Sequence, residues 1–301
     1  MTPLRVLLAT DLTSRSDRAL DRSLQLSREW NAELHIVHSM QELPPEVPVG
    51  TSVSRYLERF SDVRDEALRM IRREVGADEL GAKLHIEERV APAEAILTVA
   101  DREGCDLIVL GESRDRLFGP ILEGTVEQVL RKSPVSVLLV RDRPRRPYRQ
   151  LLVGTDFTDE AQQALVVAAR LFADASLTLM HAFNVPYASL LDAPPDLRDW
   201  VPVHLEKLSA HISATPLPAH RKASIRAVVE NGPPGAMLRR YVVEQGADLT
   251  VIGAHPRGVL FDAFVGNSRR IVDGVPGDIL MVRALRTPSV DGAHTAETAN
   301  L

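Results

Sequence analysis

Short apolar runs alternate with longer segments of helical period along this chain, and the whole alternation occurs twice. In the first half, Arg5–Thr10, Leu34–His38, Leu84–Arg89, Asp106–Leu110 and Val135–Arg141 have the length and polar flanks of buried strands. Asp11 to Ser16 is a polar turn rich in helix-capping residues. The helix predicted after it carries Ala19, Leu20, Leu24 and Ser27 on one face, with Trp30 near its end. A Pro-rich stretch, Leu43 to Pro48, precedes a charged helical segment from about Ser54 to Val75. Pro92 suits the first turn of a helix that buries Ala95, Ile96, Val99 and Ala100. A last helix is predicted over Thr125–Lys132. Strands separated by helices read as βαβ units around a parallel sheet.

The second half repeats this order. Strands are predicted near Gln150–Thr155, Ser176–His181, Ser224–Glu230, Asp248–Ile252 and Asp278–Arg283. Helices start near Asp159, Pro234 and Ser268, and another spans Asp196–Ile212. The words repeat as well as the pattern. Val6-Leu-Leu-Ala-Thr-Asp11-Leu-Thr13 returns as Leu151-Leu-Val-Gly-Thr-Asp156-Phe-Thr158, and Asp106-Leu-Ile-Val-Leu-Gly111 returns as Asp248-Leu-Thr-Val-Ile-Gly253. The two offsets nearly agree, so a whole domain is duplicated; the period is too long for a solenoid repeat. The expected division is 1–141 for the first domain, 142–149 for a Pro- and Arg-rich linker, 150–286 for the second domain and 287–301 for a disordered polar tail. The segment Asn184 to Lys222 differs most from its counterpart, and it either covers a cleft or makes another pocket.

Composition narrows the class. The 301 residues are 45% hydrophobic and 26% charged, ordinary for a globular protein, with a formal net charge of −5. That balance gives no reason to expect nucleic acid as an obligate partner. Arg141, Arg143, Arg145, Arg146 and Arg149 form the one basic run, read either as a solvated linker or as an anion contact. Cys105 stands alone before an apolar strand and reads as a buried, inert thiol. With no apolar leader and no run of 18 apolar residues, the chain is expected to be cytoplasmic, without a membrane span.

Ligands of an open parallel sheet bind outside the carboxyl ends of the strands. Three loops per copy leave those ends. The first carries Asp11 or Asp156, the second follows His38 with Ser39 or His181 with Ala182, and the third begins at Gly111 or Gly253. Copy one reads Gly111-Glu-Ser-Arg114, nine residues, then Gly124-Thr125; copy two reads Gly253-Ala-His-Pro256, nine residues, then Gly266-Asn267-Ser268. A helix is predicted to begin after the second glycine, and its free N–H groups and dipole suit an anion. Taken singly, each feature has a plainer origin. The aspartates cap a turn, the histidines bond within the core, and the glycines end strands. No carboxylate accompanies His38 or His181 as a metal set, so no metal site is expected.

Taken together, these features resemble the universal stress protein family over roughly residues 4–141 and 150–283. The resemblance rests on Thr-Asp-Leu-Thr and Thr-Asp-Phe-Thr after strand one, His38 and His181 ending strand two, the Ala-Asp-Leu-type entry to strand four, and Ser133-Pro134-Val before strand five. It implies an α/β fold of two tandem Rossmann-like domains, each a five-stranded parallel sheet of order 3-2-1-4-5 with helices on both faces. It also implies that Val135–Val140 and Ile279–Val282 pair antiparallel, joining the copies as a pseudo-dimer; a further homodimer stays open. ATP with Mg is the implied cofactor. Asp11 and Ser39, or Asp156 and Ala182, would contact adenosine, and the third loop would hold phosphates through Gly111, Arg114, Gly124 and Thr125, or Gly253, Gly266, Asn267 and Ser268. Both copies depart from the family's Gly-x-x-Gly word, with Arg114 in one and Pro256 in the other. Arginine adopts positive φ less readily than glycine, and proline removes an N–H that would face phosphate.

The sequence lacks the glycine-rich dinucleotide word after strand one, the P-loop word and the nucleophile-elbow word. No nucleophile–base pair recurs in both copies, so catalysis is not expected. Two readings of different class follow: an ATP-binding, non-catalytic stress regulator, and a nucleotide-free scaffold or chaperone-like factor. The second would act on unidentified protein partners through surfaces such as the Pro-rich loops near Pro44–Pro48 and Pro194–Pro202.

Overall fold

The computed structural model describes residues 3–14, 16–40, 64–73, 81–112, 124–185, 196–254 and 274–283. The first copy contributes strands β1 (Arg5–Ala9), β2 (Glu33–Met40), β3 (Lys83–Glu88), β4 (Leu107–Gly111) and β5 (Ser136–Val140). The second contributes β6 (Gln150–Thr155), β7 (Ser176–Phe183), β8 (Arg226–Asn231), β9 (Leu249–Gly253) and β10 (Asp278–Val282). All ten form one sheet in the order β3-β2-β1-β4-β5-β10-β9-β6-β7-β8. Each copy is thus parallel with the order 3-2-1-4-5. The halves meet where β10 pairs antiparallel with β5, Ile279 opposite Leu139 and Met281 opposite Val137.

Central strands such as β4, β5, β9 and β10 are buried along nearly their whole length, because helices cover both sheet faces. Alternate residues feed two cores. Leu8, Leu138, Leu280 and Val251 lie on one face, and Leu7, Leu139, Ile279 and Ile252 on the other. Each core runs unbroken through both copies, so the seam is interior rather than surface.

The helices in the described residues are α1 (Asp17–Trp30), α2 (Pro92–Arg102), α3 (Thr125–Lys132), α4 (Asp159–Leu171), α5 (Trp200–Ala214), α6 (Ala219–Ala223) and α7 (Pro234–Gln245), with a further helical stretch at 64–73. Helix α2 starts at its proline and buries Ala95, Ile96, Val99 and Ala100. In α1 the buried residues are Ala19, Arg22, Ser23, Leu26 and Ser27; Leu20 and Leu24 pack at the core margin instead. The reason is the seam. Helix α1 lies against linker and second copy as well as sheet, with Trp30 Nε1 donating to the Leu171 carbonyl at 2.9 Å and its ring 5.5 Å from Phe172.

Several predicted bounds shift. Arg89 leaves β3 with a φ of 60°, so that strand ends at Glu88. Strand β8 begins at Arg226 because Ala219–Ala223 winds into a short helix with Ser224 as its C-cap. Helix α5 begins at Trp200 rather than Asp196, whose carboxylate turns back to Arg198. The helix expected at Ser268, the Pro-rich stretch and the tail lie outside the described residues.

The linker is stitched down rather than merely solvated. Asp278, at the head of β10, accepts from the backbone N–H groups of Arg141 at 2.7 Å and Asp142 at 2.8 Å and from the Tyr148 hydroxyl at 2.6 Å. At the equivalent head of β5, Ser136 Oγ accepts from the Arg283 N–H at 3.2 Å. Arg22 is buried beneath, its guanidinium 3.9 Å over the Tyr148 ring and 3.6 Å from Asp278. The Arg141 side chain is also buried, bound to Glu112 and to the Val275 carbonyl.

Candidate functional site

The carboxyl edge of each half is built on the turn that leaves its first strand. In the first copy, Thr10 Oγ1 accepts from the Leu12 N–H at 3.0 Å, and Leu12 takes a left-handed φ of 58°. In the second, Thr155 Oγ1 accepts from the Phe157 N–H at 3.0 Å, with Phe157 at φ 69°. Non-glycine residues rarely adopt this conformation, so the surrounding bonds must hold it. One clamp comes from the next strand. Nδ1 of His38 lies 2.9 Å from the Thr10 carbonyl, and Nδ1 of His181 lies 3.0 Å from the Thr155 carbonyl. Facing a carbonyl, each Nδ1 is the donor. Both histidines therefore serve as internal hydrogen-bond donors that fix the turn.

Asp11 and Asp156 occupy this turn, and each gives one oxygen to it. Asp11 Oδ1 accepts from the Thr13 N–H at 3.0 Å, the Thr13 hydroxyl at 2.8 Å and the Ser16 hydroxyl at 3.0 Å. Burial pushes the Asp11 carboxyl up, but these bonds outweigh it and hold the group below its ordinary value. Asp156 Oδ1 accepts from the N–H and hydroxyl of Thr158. Thr158 also caps α4, whereas Ser16 before α1 spends its hydroxyl on the turn and caps nothing. Ser39 donates to the Val90 carbonyl at 2.6 Å, which fixes the β2 exit against the segment after β3. Ala182, its counterpart, has no polar side chain to offer.

Two of the described third-loop glycines, Gly253 and Gly124, differ in what surrounds them. A Cβ at Gly253 would sit 2.5 Å from the backbone C and O of Glu160 and 2.8 Å from the Ala161 N, so the first turn of α4 leaves no room for one. A Cβ at Gly124 meets nothing within 4 Å among the described residues, and its φ of 163° is extended backbone open to any residue. Gly124 is exposed at the N-terminus of α3, with Thr125 as the first helical residue. Gly111 ends β4 on the same edge, and Glu112 beyond it is paired with Arg141 rather than left to oppose an anion. Arg114, Gly266, Asn267 and Ser268 lie outside the described residues.

The second copy carries a feature that motif reading passed over. Helix α5 presents His204 and His211 on the face that also buries Leu208. His204 stacks on Phe183 with centroids 4.2 Å apart and on His181 at 5.1 Å. Phe157 packs on His181 at 4.2 Å and on His211 at 5.6 Å. His211 Nε2 lies 3.4 Å from Thr155 Oγ1. Five rings therefore pack together between the strand-one turn, the end of strand two and α5, on the sheet face of Leu179 rather than that of Ala182. Burial is the largest influence on His181, His204 and His211 and holds all three below the ordinary imidazole value. The signal in the sequence was the 204–208–211 spacing, which only becomes a site once α5 is laid on β7 and β8.

Comparison with known proteins agrees with the duplication. Residues 4–141 and 147–283 each match the universal stress protein family. A universal stress protein of Thermus aquaticus is 34% identical over 140 residues, 45% of this chain and 97% of its own length. One from Methanocaldococcus jannaschii is 27% identical over 145 residues, 47% of this chain and 84% of its own. The solved structure of a universal stress protein from Archaeoglobus fulgidus matches 93% of this chain and 98% of its own with a TM-score of 0.66; at 19% identity that likeness concerns the fold alone. Among the described residues, no helix is long and apolar enough to cross a membrane.

Proposed function

The chain belongs to the universal stress protein family, and from that membership we propose that it is a non-catalytic regulator that binds one ATP, with Mg, at the carboxyl edge of its first copy. The observation that carries this reading is Gly124. Among the described residues nothing gives a steric reason for glycine there, and the position opens a helix N-terminus whose N–H groups and dipole attract phosphate. Thr125 adds a hydroxyl, Gly111 and Arg114 complete the loop in sequence, and Asp11 keeps its carboxylate charged beside it. Asp11 Oδ2 and the backbone around Ser39 are assigned to the nucleoside. In the second copy Pro256 lacks an N–H to face phosphate and Ala182 offers no hydroxyl, so Asp156, Ala182, Gly253, Gly266, Asn267 and Ser268 are read as a structural partner rather than a second site. Nucleotide occupancy then biases which proteins the chain binds. A cytoplasmic setting fits the lone, buried Cys105, whose thiol burial pushes up to about 12.

Calorimetric titration of the nucleotide-stripped chain with Mg-ATP tests this. One equivalent is expected, and Gly124→Val should abolish it while leaving the melting temperature close to that of the parent. Two equivalents would overturn the one-site assignment, and no binding at millimolar ATP would retire the nucleotide reading.

The scaffold reading keeps one observation in its favour. Trp200, Val203 and Leu205 of α5 are exposed apolar side chains. If that reading is correct, a Val203→Asp change should abolish partner capture while ATP binding, present or absent, is unaltered.

A further inference from the structure

We propose that His35, His85 and Glu103 form a transition-metal site of zinc type at the amino end of the first copy's sheet, opposite the nucleotide edge. The placement comes from strand register. His35 on β2 pairs with Lys83 on β3, and His85 lies two residues further along β3. Residues two apart share a sheet face, so both imidazoles project to the same side. Glu103, directly after α2, closes over them.

The spacing is that of ligands. His35 Nδ1 and His85 Nε2 are 3.1 Å apart with their rings parallel, and Glu103 Oε2 is 4.0 Å from His35 Nδ1. One ligand atom from each residue falls within 4.8 Å of the others. Two nitrogens bound to a single tetrahedral zinc at about 2.05 Å stand about 3.3 Å apart, so small movements suffice. Two imidazoles and one carboxylate suit zinc or cobalt rather than magnesium or calcium, which prefer all-oxygen sets.

The surroundings also fit. Burial is the largest influence on His35 and His85 and holds both below the ordinary imidazole value, the direction that favours a neutral ring. His35 is wholly buried, and its Nε2 has no hydrogen-bond partner, yet Glu33 Oε1 waits 3.6 Å beyond it. A ligand histidine directing its second nitrogen at a carboxylate is the usual outer arrangement of such sites. Without metal, the Arg102 guanidinium lies 3.2 Å from His85 Nδ1 and makes that nitrogen an acceptor, so the ring proton sits on Nε2 and points at His35. Metal at Nε2 moves that proton to Nδ1, and the exposed Arg102 side chain must give way. Arg102 also binds Glu87 and Glu103, and Lys83 and Arg5 bind Glu33. Arg102 is therefore a competitor for the site.

Cobalt(II) titration of the untagged, chelator-treated full chain, followed by visible absorption, tests the assignment. We expect one saturable band of tetrahedral intensity that zinc displaces. His85→Gln and Glu103→Gln should each weaken binding at least about tenfold, as loss of a ligand requires. Arg102→Gln should tighten it roughly tenfold by removing a nearby cation. These less buried positions are chosen because His35 is wholly buried, and melting of the metal-free variants checks that each still folds. No band, a weak octahedral band, or a band unchanged by His85→Gln would overturn the site. ATP titration of the same variants separates this outcome from the fate of the nucleotide reading.

Discussion

The two copies leave their first strands by the same turn but close it differently. Thr10 and Thr155 accept the same backbone N–H, Leu12 and Phe157 take the same left-handed φ, and His38 and His181 donate to the same carbonyl. Above the first turn, Ser39 reaches across to Val90. Above the second, Phe157 joins His181, His204, His211 and Phe183 in a ring stack supplied by α5. A turn that persists whatever packs above it is first a structural device. The repeated Thr-Asp word therefore reports the fold, and ligand binding must be argued from what the fold does not use, such as Gly124, whose Cβ position meets none of the described residues.

The two glycines give the strongest way to break that comparison. Gly253→Ala drives a Cβ into the backbone of α4 and should cost about 3 kcal/mol, at the upper end of overpacking penalties. Chemical denaturation measures it. A cost below about 1 kcal/mol would mean that the close approach of α4 relaxes freely.

The histidines sharpen it next. His38→Ala removes one hydrogen bond to a carbonyl and should cost about 1 kcal/mol. His181→Ala removes the equivalent bond together with ring contacts to Phe157 and His204, and should cost about 2 kcal/mol. Equal losses in the two copies would show that the stack contributes nothing.

Acidification acts on the stack through linkage. His181, His204 and His211 hold lower values in the folded chain than the ordinary 6.5, so the unfolded chain binds the extra protons. Their contribution is full above about pH 6.5 and is lost as pH falls toward the folded values. Replacing His204 by Phe keeps a ring against Phe183 but removes one titrating group, so the melting temperature should fall less between pH 7 and pH 5.5, at about those values. An unchanged slope would place the acid sensitivity elsewhere. The smallest effect is expected at Gly124→Ala, within about 0.5 kcal/mol, because the side chain meets none of the described residues.

Much of the fold was legible because it is written locally. The strand at Gln150–Thr155 and the helix over Thr125–Lys132 follow from their own periodicity and caps. The antiparallel meeting of the last strands came from family resemblance and is present as β5 against β10. The site was legible only in part. Asp11 and Ser39 were placed on the correct edge, but nothing local told that Asp11 Oδ1 and the Ser39 hydroxyl are spent within the chain. The basic run looked solvated, yet Arg141 is buried, because Glu112 and the Val275 carbonyl reach it from elsewhere in the chain.

The sequence by itself determined the duplication, the alternation of strand and helix, and the face that α2 buries, since these depend on neighbours a few positions away. The tertiary structure alone decided that His204 stacks on Phe183, that Asp278 anchors the linker, and that His35 and His85 face each other. Those pairs are far apart in the chain, and their meeting depends on strand register and helix docking, which side-chain periodicity does not encode.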